Sequence, residues 1–166
     1  HDIERLKRII NNPWSPVQII FAGKSHPDDF ASKQLLQQVY NIAMGRDFQG
    51  RIAFAEDYDM HIARYLIQGV DVWLNNPRNL QEASGTSGMK ASINGVPHLS
   101  IPDGWWREGY NGANGWSISS DFGPPTPGAE DEMDSKSLYR LLEDEVVPLF
   151  YKRDRNGVPP GGSRGA

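Results

Sequence analysis

The amino-acid sequence predicts an α/β protein, a doubly wound, Rossmann-like parallel sheet. Three observations lead there: short unbroken apolar runs of strand length, helical-period segments between them, and polar residues gathered where the runs end. The spacing of Ile3, Leu6, Ile9 and Ile10 predicts a helix over 2–12, already under way at the start of the chain. The run VQIIFAG at 17–23 predicts a strand, a helix follows over 28–44, and RIAFAED at 51–57 is a second strand. A helix at 59–68, a strand at 70–76, a helix at 86–94 and a strand at 97–101 complete the alternation. From 103 the periodicity fails: DGWWREGYNGANGW sets Trp105, Trp106, Tyr110 and Trp116 among glycines, which predicts a structured loop whose rings pack it onto the sheet. With the Pro/Gly/acid stretch FGPPTPGAEDEMD it forms an aromatic loop and linker over 103–133, and Leu138, Leu141, Leu142, Val146 and Leu149 predict a last helix at 135–151. The domain is expected over 1–151, and 152–166, rich in Gly, Pro and Arg, reads as a flexible tail.

Composition narrows the function. A net charge of -4 offers no basic field for nucleic acid, and no run of apolar residues is long enough to span a bilayer. There is no cysteine for a disulfide or a thiolate metal site, and His1, His26, His61 and His98 show no ligand spacing, so metal-free chemistry is expected. The lack of cysteine and of an apolar leader pattern favours the cytoplasm.

The stretch EASGTSGMKASING, Glu82 to Gly95, carries the chemistry. Gly85 and Gly88 flank Thr86 and Ser87 where a helix begins, so amides with little side-chain cover meet the positive end of a helix dipole. That combination suits a phosphate, and Lys90 lies within the next turn. Gly, Ser and Thr are also ordinary capping residues, and a helical lysine is commonly just solvated surface. Composition and spacing leave both readings open.

The string EASGTSGMKASIN closely resembles the pyridoxal-phosphate signature of the α-glucan phosphorylases, with Lys90 at the cofactor-lysine position and Ile93 where Leu or Met is usual. FAGKSHP, EDYDM and DGWWREGYNGANGW resemble the shorter bacterial and archaeal branch of that family, and the likeness covers roughly 2–157. It implies a segment of the C-terminal domain of a two-domain glycosyltransferase fold. It further implies that Glu82, with backbone groups of Ala83, Ser84 and Gly85, holds hydroxyls of the glucosyl unit, a strong charge-assisted contact for a carboxylate. Amides at Thr86 and Ser87 would bind the cofactor phosphate, Lys90 would tether pyridoxal 5'-phosphate, and Tyr58 would stand beside it. Lys90 and Glu82 are thus the implied catalytic pair. The implied reaction converts α-1,4-glucan and inorganic phosphate to α-glucose-1-phosphate with retained configuration. The family's phosphate-binding Lys-Arg and Tyr-Lys motif and its N-terminal half precede such a segment, so the chain alone is expected to be inactive.

Two other readings compete. Retaining nucleotide-sugar glucan synthases resemble this fold and carry two glutamates eight positions apart, but eight residues after Glu82 stands Lys90, an amine where a ribose needs a carboxylate. A non-catalytic carbohydrate-binding or subunit module remains compatible with the isolated chain.

Overall fold

A computed structural model describes residues 2–24, 27–48, 50–81, 84–119 and 129–152. By its internal contacts the chain divides into two units, Asp2–Ala63 and Arg64–Ala166.

In the first unit the Asp2 side chain accepts from the Arg5 amide at 2.9 Å, satisfying an otherwise unpaired donor at the start of α1, Ile3–Ile10. The apolar stripe expected of this helix buries Ile9 and Ile10. Strands β1, Ile19–Ala22, and β2, Ile52–Ala55, pair in parallel with Ile19 opposite Ile52 and Ala22 opposite Ala55. A parallel pair needs a crossover, and α2, Phe30–Ala43, supplies it, capped by Asp29 on the Ser32 amide at 2.9 Å. A 3-10 turn, Arg46–Phe48, places Phe48 with Ile10, Ala43 and Ile52 in a small core. After β2, the Asp59 carboxylate caps the Ile62 amide at 2.9 Å and opens α3, Met60–Gly69.

The second unit has a parallel sheet in the order β3-β4-β5, formed by Trp73–Asn75, His98–Ser100 and Gly115–Ser117. Helix α4, Thr86–Ile93, joins β3 to β4, and the single turn α5, Trp106–Gly109, joins β4 to β5. Helix α6, Glu130–Leu141, runs through a π-helical stretch, Leu142–Val146, into α7, Val147–Tyr151. Leu99 and Ile101 turn one face of β4 into a core with Ile118, Leu141 and Val146. Strand alternation sends His98 and Ser100 to the other face, where both are buried and His98 lies against Gly88 of α4. The strand is covered on both faces, and His98 and Ser100 are polar residues buried on one of them.

Each expected strand contains an observed one, shortened to three or four residues. The strands form two parallel sheets, one in each unit, where the sequence pattern suggested one. The stretch expected to be a loop contains β5 as well as α5, and the last helix starts at Glu130 rather than 135. The acidic first turn, Glu130, Asp131 and Glu132, accounts for the earlier start, since carboxylates favour the positive end of a helix dipole. The π-helical widening lies just before Pro148, which has no N–H to give and whose ring crowds the carbonyl four residues back. Residues 120–128 of the expected linker, and the expected tail from 153 onward, lie outside the described residues.

Candidate functional site

The site begins at the carboxyl end of β3. Helix α4 opens on Gly85, which is left-handed at φ 76 and ψ 46, a conformation that costs a residue with a Cβ and that leaves its carbonyl to the Met89 amide at 3.4 Å. No side chain caps this end of the helix. The amides of Thr86, Ser87 and Gly88 therefore precede the first intrahelical bond and are uncommitted by helix geometry, which makes an anion their natural partner. Thr86 is exposed and Ser87 half-buried, its Oγ accepting from Asn75 Nδ2 at 3.4 Å, a long bond that ties the turn to the last residue of β3.

Lys90 lies one turn further on, exposed and outside every ion pair among the described residues. Its helix is held at the far end by a complete Schellman closure: the Gly95 amide donates to Ser92 and the Val96 amide to Ala91, both at 3.0 Å, with Gly95 left-handed at φ 81. An eight-residue helix closed at its carboxyl end thus leaves bare amides at its start and an exposed amine one turn on.

Beneath the turn lies an aromatic group. Trp106 is fully buried and meets the His98 ring edge-on at 4.7 Å, Trp105 lies 5.5 Å from the same ring, and the Trp105 amide donates to the Ser84 carbonyl at 3.0 Å. The rings of Trp105, Trp106 and Tyr110 accordingly pack their loop, and the Trp105 amide fastens the residue before Gly85. Among the described residues neither nitrogen of His98 meets a partner in good hydrogen-bond geometry, and burial pushes its pKa down to about 4, a shift that a looser backbone contact with Trp73 tempers. The ring is therefore neutral at physiological pH. Arg107 braces the neighbouring loops, donating to the Pro102 carbonyl at 2.8 Å and to Asn79 Oδ1 at 3.0 Å.

Thr86, Ser87, Gly85, Ser84 and Lys90 are brought together in the second unit. Glu82 and Ala83 lie outside the described residues. Tyr58 belongs to the first unit, half-buried just after β2, beside Asp57, whose φ of 50 strains a residue with a Cβ. Leu80, shortly before Glu82, is likewise left-handed at φ 66. Strain of this kind collects at binding loops, and here it marks the loops following β2 and β3. His98 and the Trp105 amide are supporting groups that sequence reasoning did not single out, while Asn75 lies at a polar strand end of the kind it did. The available signal was a histidine inside a strand of the parallel sheet.

A concavity of about 510 Å³ lies at the opposite, amino-terminal end of the β3-β4-β5 sheet, bounded by Val72, Val96, Gly115, Trp116, Val146 and Phe150 among others. It holds none of the sequence-predicted site residues, and the strand ends of α/β sheets that gather ligands are the carboxyl ends. The glycine turn is the better candidate. Among the described residues no cluster of His, Asp and Glu could hold a metal ion.

A family model described as carbohydrate phosphorylase matches residues 1–108. Glycogen phosphorylase of Aquifex aeolicus is 56% identical over 158 residues, 95% of this chain and 22% of that protein. Maltodextrin phosphorylase of Thermococcus litoralis is 54% identical over 151 residues, covering 91% of this chain and 18% of its own length. Glycogen phosphorylase of Mycobacterium bovis is 49% identical over 158 residues, with 95% and 18% covered. The chain thus spans about a fifth of the length of these curated relatives.

Proposed function

The chain belongs to the carbohydrate phosphorylase family, and from that premise we propose that it is a C-terminal catalytic segment of an α-glucan phosphorylase that works with pyridoxal 5'-phosphate in the cytoplasm. The observation that carries this reading is the start of α4: uncapped amides behind a left-handed Gly85, with an exposed Lys90 one turn on. The parallel pairing in both units fits a Rossmann-like domain as one half of a two-domain glycosyltransferase fold. No helix among the described residues is long and apolar enough to cross a membrane.

The donor set suits the cofactor. Its phosphate needs several N–H groups and close approach, which Thr86, Ser87 and the missing Cβ of Gly85 provide, and its aldehyde needs an amine nearby, which Lys90 provides. When bound, the group supplies a phosphate that exchanges a proton with the substrate phosphate. In the reaction an oxygen of inorganic phosphate bonds to C1 of the terminal glucosyl unit as the C1–O4 bond of the glucan breaks, and the proton ends on O4 of the shortened chain. The residues of this segment bind and orient. Glu82, with backbone groups of Ala83, Ser84 and Gly85, holds sugar hydroxyls and fixes the glucosyl unit; Thr86 and Ser87 hold the cofactor phosphate; Lys90 tethers its ring, and Tyr58 packs beside it. The Trp105 amide on Ser84 keeps the sugar-binding backbone from drifting. Fixing the reacting groups in this way removes much of the entropy of encounter.

The test is covalent labelling. In the full-length protein incubated with pyridoxal 5'-phosphate and then reduced with borohydride, peptide mapping should place the label on Lys90, and Lys90→Ala should lose it. Label spread evenly over the lysines would overturn the assignment.

A further inference from the structure

Position 88 is a close approach between α4 and the sheet. A Cβ built on Gly88 would fall 2.4 Å from Cε1 and 2.7 Å from Nε2 of His98, distances no side chain tolerates, so the helix sits this low only because residue 88 is glycine. It sits no lower because the His98 ring is in the way. That ring is 1% exposed and has little room to yield, being packed edge-on against Trp106 and tilted against Trp105. Trp105 in turn holds the Ser84 carbonyl, so one aromatic group sets both the residue before Gly85 and the turn after it. Successive residues of an α-helix are rotated by about 100°, so Gly88 faces the sheet while Lys90, two positions on, faces solvent.

An aliphatic residue could fill this core without burying two unpartnered nitrogens, a burden that normally selects against an unsatisfied imidazole. A flat five-membered ring, however, spaces a helix from a strand more closely than a branched side chain can.

We propose that His98 is a positioning residue for the cofactor-phosphate turn: wedged against the bare Cα of Gly88, its ring sets the height of the first turn of α4, and with it the Thr86 and Ser87 amides and Lys90. The inference rests on the phosphate-binding reading of that turn. A displacement of the turn moves amides and amine together, and misplacements of about 1 Å are costly where groups must converge on one ligand.

The experiment compares the affinity of the full-length protein for pyridoxal 5'-phosphate with that for pyridoxal, which lacks the phosphate, each variant first shown to be folded by circular dichroism. His98→Ala, with the wedge removed, and Gly88→Ala, with the turn pushed away, should each reduce the preference for the phosphorylated form about tenfold, the loss of roughly one charge-assisted hydrogen bond. The double variant, whose new methyl enters the space the ring has left, should recover most of the preference lost in Gly88→Ala. His98→Asn, a smaller change, keeps the test open if His98→Ala does not fold. An unaltered preference in folded His98→Ala or His98→Asn protein would overturn the positioning role. Absence of any preference in the unsubstituted protein would instead sink the phosphate-binding reading beneath it.

Discussion

The neutral state of His98 has a consequence for stability as well as for the site. Its ordinary pKa is 6.5 and burial holds it at about 4 in the folded chain, while the groups packed on it, Gly88, Trp105 and Trp106, carry no charge that could offset protonation. Between those two values the unfolded chain binds more protons than the folded one, so stability rises with pH through this window and falls as pH drops from about 6.5 toward 4. The shift corresponds to at most about 3 kcal/mol at the acid end. Urea midpoints at pH 4.5 and 7.5 should therefore differ, and His98→Asn, which has nothing to titrate there, should reduce the difference. The same residue shows where residue-level reading of the sequence ends. The glycine turn and helix start that carry Thr86, Ser87 and Lys90 were legible because these residues follow one another along the chain, whereas the roles proposed for them come from the family resemblance. The role of His98 was not, because it depends on a glycine in a different element and on a distance across the sheet.

At the scale of elements, alternation of apolar runs and helical periods located β1 to β4 and α1 to α4, since the strand and helix periods are written locally in the chain even where, as in β1 and α3, no residue is fully buried. Strand β5 was hidden for the opposite reason. Gly115, Trp116 and Ser117 follow a string of glycines and polar residues with no period, and what makes them a strand is the approach of Gly115 to β4. A Cβ there would fall 2.0 Å from the His98 carbonyl oxygen, and the φ of 154 is itself one that L side chains avoid. Gly115→Ala should therefore separate β5 from β4 and lower stability by about 2–3 kcal/mol, as an overpacking change with a backbone penalty added. An unchanged denaturation midpoint would show that the sheet tolerates a side chain at this edge. The bidentate pair of Arg78 with Asp131, at 3.0 and 2.7 Å, ties the loop after β3 to the first turn of α6 and draws the Asp131 carboxyl below its usual range. Both side chains are well exposed, so the pair orders two loops more than it stabilises them.

For the molecule as a whole, the parallel class and the glycine turn were legible because local patterns specify them, whereas the division into two units was not, because it depends on contacts between distant residues. Exposed apolar side chains are unusually large and numerous: Met60 is 91% exposed, Ile93 84%, Leu80 74% and Phe30 73%. Each such side chain leaves apolar area in water that contact with further protein would cover. This agrees with a chain that spans about a fifth of its relatives. Phosphorolysis asks for more than the glycine turn supplies. Two phosphates side by side repel, and an oxocarbenium-like transition state forms only where charge and geometry are held on both sides of the sugar. On the reading proposed above, this segment contributes the uncapped amides of α4 and one exposed amine, while the family resemblance assigns the remaining cations and the opposing wall of the cleft to residues preceding it. The 166-residue chain, supplied with pyridoxal 5'-phosphate, maltoheptaose and inorganic phosphate, should therefore release no glucose-1-phosphate above a Lys90→Ala control, whereas the full-length protein should release it readily. Release by the short chain alone, abolished by Lys90→Ala, would mean that this segment holds the complete phosphate-binding machinery and would overturn its assignment to one side of the cleft.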